Sequence, residues 1–117
     1  MPAFNSLRTK KEFDLVYKKG KAMQGIFFSL RFWESKNSSE PAKFGIIVGL
    51  NISKKAVLRN KKRRQLREII RLNQGKIKRS HWIIISAKDK ILEADYEVLE
   101  KEFLGLCRKA GIINKSQ

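Results

Sequence analysis

Apolar residues first settle into a helical rhythm at Phe13, Val16 and Tyr17, spaced i, i+3, i+4 on one face. Just ahead of them, Thr9 and Glu12 form a capping-box pattern, in which each side chain satisfies an orphan amide near the other. A helix is predicted over residues 10–19, stopping at Gly20 in the left-handed geometry that glycine adopts at little cost. The period then drops to two. Ile26, Phe28, Leu30 and Phe32 alternate with Phe27, Ser29, Arg31 and Trp33, which predicts a strand with one apolar and one mixed face. Residues 35–41 read as a loop. The nearly continuous apolar run at 44–52 predicts a second strand covered on both faces, and residues 81–87, "HWIIISA", predict a third of the same kind.

Between the last two strands lies "KKAVLRNKKRRQLREIIR", residues 54–71, with nine basic side chains and one acid, Glu68. With Leu66 as origin and about 100° per residue, Leu58, Ile69, Ile70 and Leu72 share a broad apolar arc around it. Asn60, Arg63, Arg64, Arg67 and Arg71 fall together on the adjoining arc. One face is predicted to pack on the sheet and the other to present an arginine row. Lys62 falls inside the apolar arc and is expected to run its stem along it to the edge. A stop follows around Gly75. The last helix, from Asp95 to Ala110, should turn Val98, Leu99, Phe103, Leu106 and Cys107 inward and end at Gly111. The order α-β-β-α-β-α is that of an α+β protein, a two-layer α/β sandwich forming one domain over residues 1–117.

Charge changes the picture from a fold to a partner. There are 27 Lys and Arg against 11 Asp and Glu, a net charge of +16. Such a charge repels itself in the compact state, so a polyanion is expected to meet it: nucleic acid first, an anionic membrane surface second. Acids are nearly absent from the basic helix, so no i,i+4 pairing neutralises its row. Six of the eleven acids (Asp89, Glu93, Asp95, Glu97, Glu100 and Glu102) lie instead around the last helix. That asymmetry is the footprint of a docking surface.

Candidate catalytic chemistry is sparse. His81 is the single histidine, with no second one for acid–base work, and is read as structural or RNA-contacting. No His, Cys and carboxylate cluster has metal-ligand spacing, and no glycine-rich phosphate loop is present. The single cysteine, Cys107, reads as a core thiol. No signal-peptide pattern opens the chain and no apolar run is long enough to span a membrane, so a cytoplasmic, reduced setting is expected. A DNA-recognition helix would mix Asn, Gln, Ser and Thr for base edges, whereas this face is nearly all arginine and suits phosphate and shape recognition. A structural, ribosomal-type RNA-binding protein is the alternative that charge and size leave open. Phe13 and Tyr17, with Phe27, Ser29 and Arg31 across from them, read either as core or as an aromatic cleft for single-stranded RNA.

"RNKKRRQLRE", residues 59–68, resembles the RNR signature of the protein subunit of bacterial ribonuclease P, usually R-N-R-x-K-R-x-x-R-E. Arg59, Asn60, Arg64, Arg67 and Glu68 match it outright, and Lys61 and Arg63 are like-charge swaps. "EFDLVYKKG" (12–20) is similar to the family's F-x-x-V-F/Y-x-x-G helix, "SKKAVLRN" (53–60) to its lysine lead-in, and "WIIISAK" (82–88) to its third strand. Two departures stand out: the lead-in lacks the usual glycine-containing spacer, and Lys62 occupies a position that is usually apolar. The resemblance implies a fold like domain 2 of ribosomal protein S5, with an unusual left-handed β-α-β crossover through the RNR helix. It implies an endonuclease in which a catalytic RNA with bound Mg²⁺ removes the 5′ leader from precursor tRNA. Lys54, Lys55, Arg59, Asn60, Lys61, Arg63, Arg64, Arg67 and Arg71 would then bind the catalytic RNA. Phe13, Tyr17, Phe27, Ser29 and Arg31 would line an exposed cleft for the leader. No membrane or small-molecule substrate is implied.

Overall fold

The alternating segment forms β3 (Phe28–Glu34), and its partners follow from which of its faces is greasy. In the computed structural model, which describes residues 4–36 and 39–114, the chain order is β1 (Asn5–Ser6), α1 (Lys10–Lys19), β2 (Lys21–Gln24), β3, β4 (Lys43–Ile47), α2 (Ala56–Asn73), β5 (His81–Ala87) and α3 (Tyr96–Ala110). Short 3₁₀ turns at Gln74–Lys76 and Asp89–Glu93 flank β5. The strands form one sheet in the order β1-β4-β5-β3-β2. β4 runs parallel to both β1 and β5, while β3 is antiparallel to β5 and β2. The parallel step from β4 to β5 is made through α2.

The main α/β core lies between the sheet and the α2–α3 pair. Phe28 and Leu30 of β3, Phe44 of β4, and Ile83 and Ile85 of β5 meet Leu66, Ile69 and Ile70 of α2 and Leu99, Phe103 and Cys107 of α3. Helix α1 lies on part of the opposite face, where Val16, Leu7 and Ile84 are buried beside Phe13, Trp33 and Trp82. Adjacent isoleucines of β5 thus serve different layers, which accounts for a strand apolar on both faces. Cys107 sits in this core, and burial pushes its thiol up to about 12.

Several boundaries differ from the sequence expectation. β1 and β2 were not predicted; they are two and four residues long and occupy the sheet edges. The second strand stops at Ile47, because the turn closed by Ile52 N–H on Gly49 O takes over, although Val48 and Ile52 remain buried. Ile26 precedes β3 and is 62% exposed. Part of the predicted 35–41 loop, Asn37 and Ser38, lies outside the described residues. The capping box at Thr9 and Glu12 is present, but Gly20 is extended, with φ −85° and ψ 176°. Its need for glycine is close approach: a Cβ there would come within 2.5 Å of the carbonyl oxygens of Phe32 and Val16. The left-handed C-cap is found at Gly111, φ 74°.

On α2, Leu58 and Leu72 are exposed, in the first and last turns and at the margins of the apolar arc. Val98 on α3 is likewise exposed, one step off the stripe set by Leu99, Phe103 and Leu106. Lys62 takes the place in the seam that sequence assigned to it. It is buried, with Nζ donating to Ala94 O at 2.6 Å. Burial, and then the neighbouring Lys61, push its pKa down, while Asp95 pulls the other way.

A depressed lysine means that the unfolded chain binds more protons than the folded one between the folded pKa and the ordinary 10.5. Stability contributed by this group should therefore rise with pH across that alkaline window. Lys62→Met should leave the fold as stable or raise its stability by up to about 2 kcal/mol, and should flatten that alkaline rise. Urea unfolding at a series of pH values reads both effects.

Candidate nucleic-acid interface

Helix α2 begins against its own dipole. Lys55 is the N-cap without a side-chain cap bond, and the first turn has no acid. What ties the start down is a set of bonds to the loop from β4. Lys55 N–H donates to Ser53 Oγ at 3.1 Å, and Arg59 Nη1 donates to Ser53 O at 2.8 Å. Arg63 Nη2 donates to Val48 O at 2.9 Å, and its Nη1 to Asn60 Oδ1 at 2.7 Å. Two of the predicted phosphate ligands, Arg59 and Arg63, are thus half-buried and engaged with the loop.

Arg64 and Arg67 differ. Both are exposed, and among the described residues neither makes a hydrogen bond or ion pair within the chain. Lys54, Lys55 and Lys61 are exposed beside them. Val57, Asn60, Arg63, Arg64 and Arg67 line an open groove of about 650 Å³. Arg71, at the far end of the row, is not free: both its Nε and Nη2 donate to Glu68. That bond holds the Glu68 carboxyl below its usual range. No i,i+4 pair neutralises the row among the described residues, but this i,i+3 pair balances its last arginine.

The acids of α3 do not mask the row. Asp95 caps α3 by accepting Val98 N–H at 3.1 Å, and Glu100 accepts from Asn73 Nδ2 at 2.8 Å. Glu102 accepts the amides of Ile26, Phe27 and Phe28 at 2.8, 2.8 and 3.2 Å. This role is not legible in the sequence: nothing in an acid on a helix marks it as the clamp of a distant bend.

Across the sheet, α1 holds Tyr17 40% exposed, with the Arg31 guanidinium 5.1 Å from its ring centroid. Ser29 and Arg31 share this face of β3, two residues apart. Phe13 is half-buried over Gly45, where a Cβ would come within 2.7 Å of its ring. A glycine inside a strand was the available signal for this close approach. Phe27 lies in the bend before β3 and packs at the edge of the main core. Glu12 anchors α1 to the sheet through Lys43 Nζ at 3.1 Å, and that ammonium lies 5.0 Å from the Trp82 ring centroid. Burial opposes ionisation of Glu12, but the Arg8 and Thr9 amides and Lys43 leave its pKa lowered overall. Phe13 also lines a recess of about 150 Å³ with Phe4, Leu7, Gly45, Arg63 and Arg67, so the arginine row and the aromatic cleft adjoin at the β1–β4 edge.

A family model described as Ribonuclease P matches residues 1–111. The chain belongs to the ribonuclease P protein family. It is similar to the ribonuclease P protein component of Syntrophomonas wolfei, 34% identical over 110 residues that cover 94% of this chain and 90% of that one. The component of Rippkaea orientalis is 36% identical over 116 residues, covering 97% and 91%. The solved ribonuclease P protein of Thermotoga maritima superimposes with a TM-score of 0.78 at 29% identity, over 90% of this chain and 96% of that chain. The Staphylococcus aureus protein shares the fold with a TM-score of 0.82 at 22% identity, over 93% and 97%.

Within this ribonuclease P family fold, His81 is buried and its Nδ1 lies 3.1 Å from Arg79 O. The described residues include no group of three or more His, Cys, Asp or Glu placed to hold a metal ion.

The two kinds of arginine should separate on substitution. Arg64→Ala with Arg67→Ala should lower the log–log salt slope of binding to ribonuclease P RNA by roughly 2, at about 0.9 per phosphate. Stability should change by less than about 0.5 kcal/mol. Arg63→Ala should instead cost about 1–2 kcal/mol of stability, because its bond to Val48 O goes with it. Salt titrations and thermal denaturation of both variants distinguish the two roles.

Proposed function

We propose that the chain is the protein component of a cytoplasmic ribonuclease P, docking a catalytic RNA on α2 and the 5′ leader of precursor tRNA in the cleft between α1 and the sheet. The observation that carries this reading is the recess shared by Phe13, Arg63 and Arg67, which joins a cationic ridge to an aromatic cleft on one surface. Arg64 and Arg67, together with Lys54, Lys55 and Lys61, would grip phosphates of the structured RNA, the arginines through planar two-pronged contacts. Arg59, Arg63 and Asn60 would hold the β4–α2 connection in the shape that presents them. Arg71, balanced by Glu68, would contribute less. In the cleft, Tyr17 would stack a leader base while Arg31 tracks the backbone.

Hydrolysis of the phosphodiester then belongs to the RNA. Mg²⁺ held by that RNA would supply a metal-activated nucleophile and leaving-group stabilisation. This chain's part is to bind, orient and neutralise charge, which its exposed arginines and lysines suit.

Mixing the protein with catalytic RNA from the same cell should speed leader removal at low Mg²⁺ relative to that RNA alone. Tyr17 is exposed, so Tyr17→Ala tests the cleft without opening the core. It should weaken precursor binding by roughly tenfold, within the 1–3 kcal/mol of a lost stacking contact, and leave mature tRNA unaffected. Equal losses for precursor and mature tRNA would reject the leader assignment.

A further inference from the structure

A second cationic surface lies at the opposite end of the sheet from the start of α2, where β5 begins. Here a recess of about 350 Å³ is lined by Lys19 and Lys21 from either side of Gly20, by Trp33 and Glu34 at the end of β3, and by Lys78 and His81. We propose that this recess holds the phosphate backbone of leader nucleotides upstream of those in the α1 cleft, with Lys21 and Lys78 as its cationic grips; the proposal rests on the leader reading above.

Position is the first argument. Lys19 follows Tyr17 by two residues, and Trp33 follows Arg31 by two on the same face of β3. A strand stacked on Tyr17 and tracked by Arg31 would leave the α1 face past Lys19 and Trp33, then turn around the end of β3 to meet Lys21 and Lys78, which lie on the α3 side with Phe32 and Ile112.

Charge is the second. The helices α1 and α3 both end here, and their partial negative charge accounts for Lys19 and Lys109 in their last turns. Lys21 and Lys78 belong to neither helix. Among the described residues neither side chain has a hydrogen bond or ion pair, and Glu34, the one carboxylate in the lining, pairs with neither. Two unpaired ammonium groups facing one recess repel each other until an anion lies between them.

Rigidity is the third. Lys78 N–H donates to Ile112 O at 2.8 Å, beside the bridge between Ile77 and Ile113. Gly20 is fixed against Phe32 O, and Gly111 by its left-handed turn. The grips therefore stand on ordered backbone, so a ligand pays little ordering entropy. His81 adds an RNA-specific contact. Arg79 O can only accept, so in the neutral ring Nδ1 carries the proton and Nε2 remains an acceptor with no partner among the described residues. A ribose 2′-hydroxyl is the donor that such a nitrogen suits.

The test uses the reconstituted holoenzyme and two precursor tRNAs, one with a leader just long enough to cover Tyr17 and one extended by several nucleotides. With the parent protein, the extended leader should bind several-fold tighter and steepen the salt dependence by roughly 1.4, two phosphates at about 0.7 each for a single strand. Lys21→Ala with Lys78→Ala should abolish both gains while matching the parent on the short-leader precursor. A double variant that keeps the gain, or a parent that shows none, overturns the proposal. A parent that binds the short-leader precursor no better than mature tRNA overturns the cleft reading instead.

Discussion

Helix α2 has to satisfy two environments at once, and the rest of the molecule follows from that constraint. Leu66, Ile69 and Ile70 are wholly buried, each contributing about 1.5–3 kcal/mol relative to exposure. Rolling the helix to hide Arg64 or Arg67 would give up that burial and desolvate a guanidinium, at several kcal/mol more. The seam therefore fixes the direction of the ridge. This matters because little else stabilises the helix: its first turn is basic, its N-cap lacks a side-chain bond, and its cations repel one another. Phosphates on the proposed RNA partner would relieve the repulsion that the fold tolerates, so binding and folding would favour the same orientation.

The arginines of α2 look alike in sequence and do different things. Arg59 and Arg63 donate to Ser53 O and Val48 O and so stitch the β4–α2 connection to the helix. Arg71 is balanced by Glu68 one turn earlier. Arg64 and Arg67 are left for a partner. Helical spacing places all of them on one arc, but only the path of the incoming loop decides which guanidinium meets a carbonyl. That path depends on the turn at 49–52, which cuts the second strand short.

What sequence showed well is what periodicity controls. β5 fell on residues 81–87 as expected, α1 on 10–19, and α3 began within one residue of its predicted start, with Asp95 as its N-cap, and ended at Gly111. The buried seam of α2 was legible down to Lys62, whose ammonium ends on a backbone carbonyl rather than in solvent. Misplaced residues lie where an element overhangs the sheet: Leu58, Leu72 and Ile26 are apolar and in phase, but no layer covers them. Gly20 was recognised as special for the wrong reason, since close approach to Phe32 O and a left-handed turn both call for glycine, and sequence does not tell them apart. Of the site, the arginine row and the Tyr17–Arg31 pair were legible. The recess joining row and cleft was not, because it is made by β1, a two-residue edge strand with no pattern of its own.

The acids around α3 show how charge segregation also serves the fold. They first read as a surface kept away from RNA, yet three of them are bound to the chain itself. Glu102 has the largest reach, gathering three consecutive amides at the bend before β3, while Lys88 Nζ donates to Gly25 O at 2.7 Å and its amide to Phe27 O at 2.9 Å. The Phe27 and Phe28 amides are part-buried at this corner and would otherwise lack that partner, and a carboxylate is among the strongest acceptors available to them. Ser29 and Arg31 are set in register immediately after this bend. The cleft on the α1 face is thus positioned by α3, on the other side of the sheet: an acid that would repel RNA on the α1 face serves from the far side, where its charge is met by backbone amides.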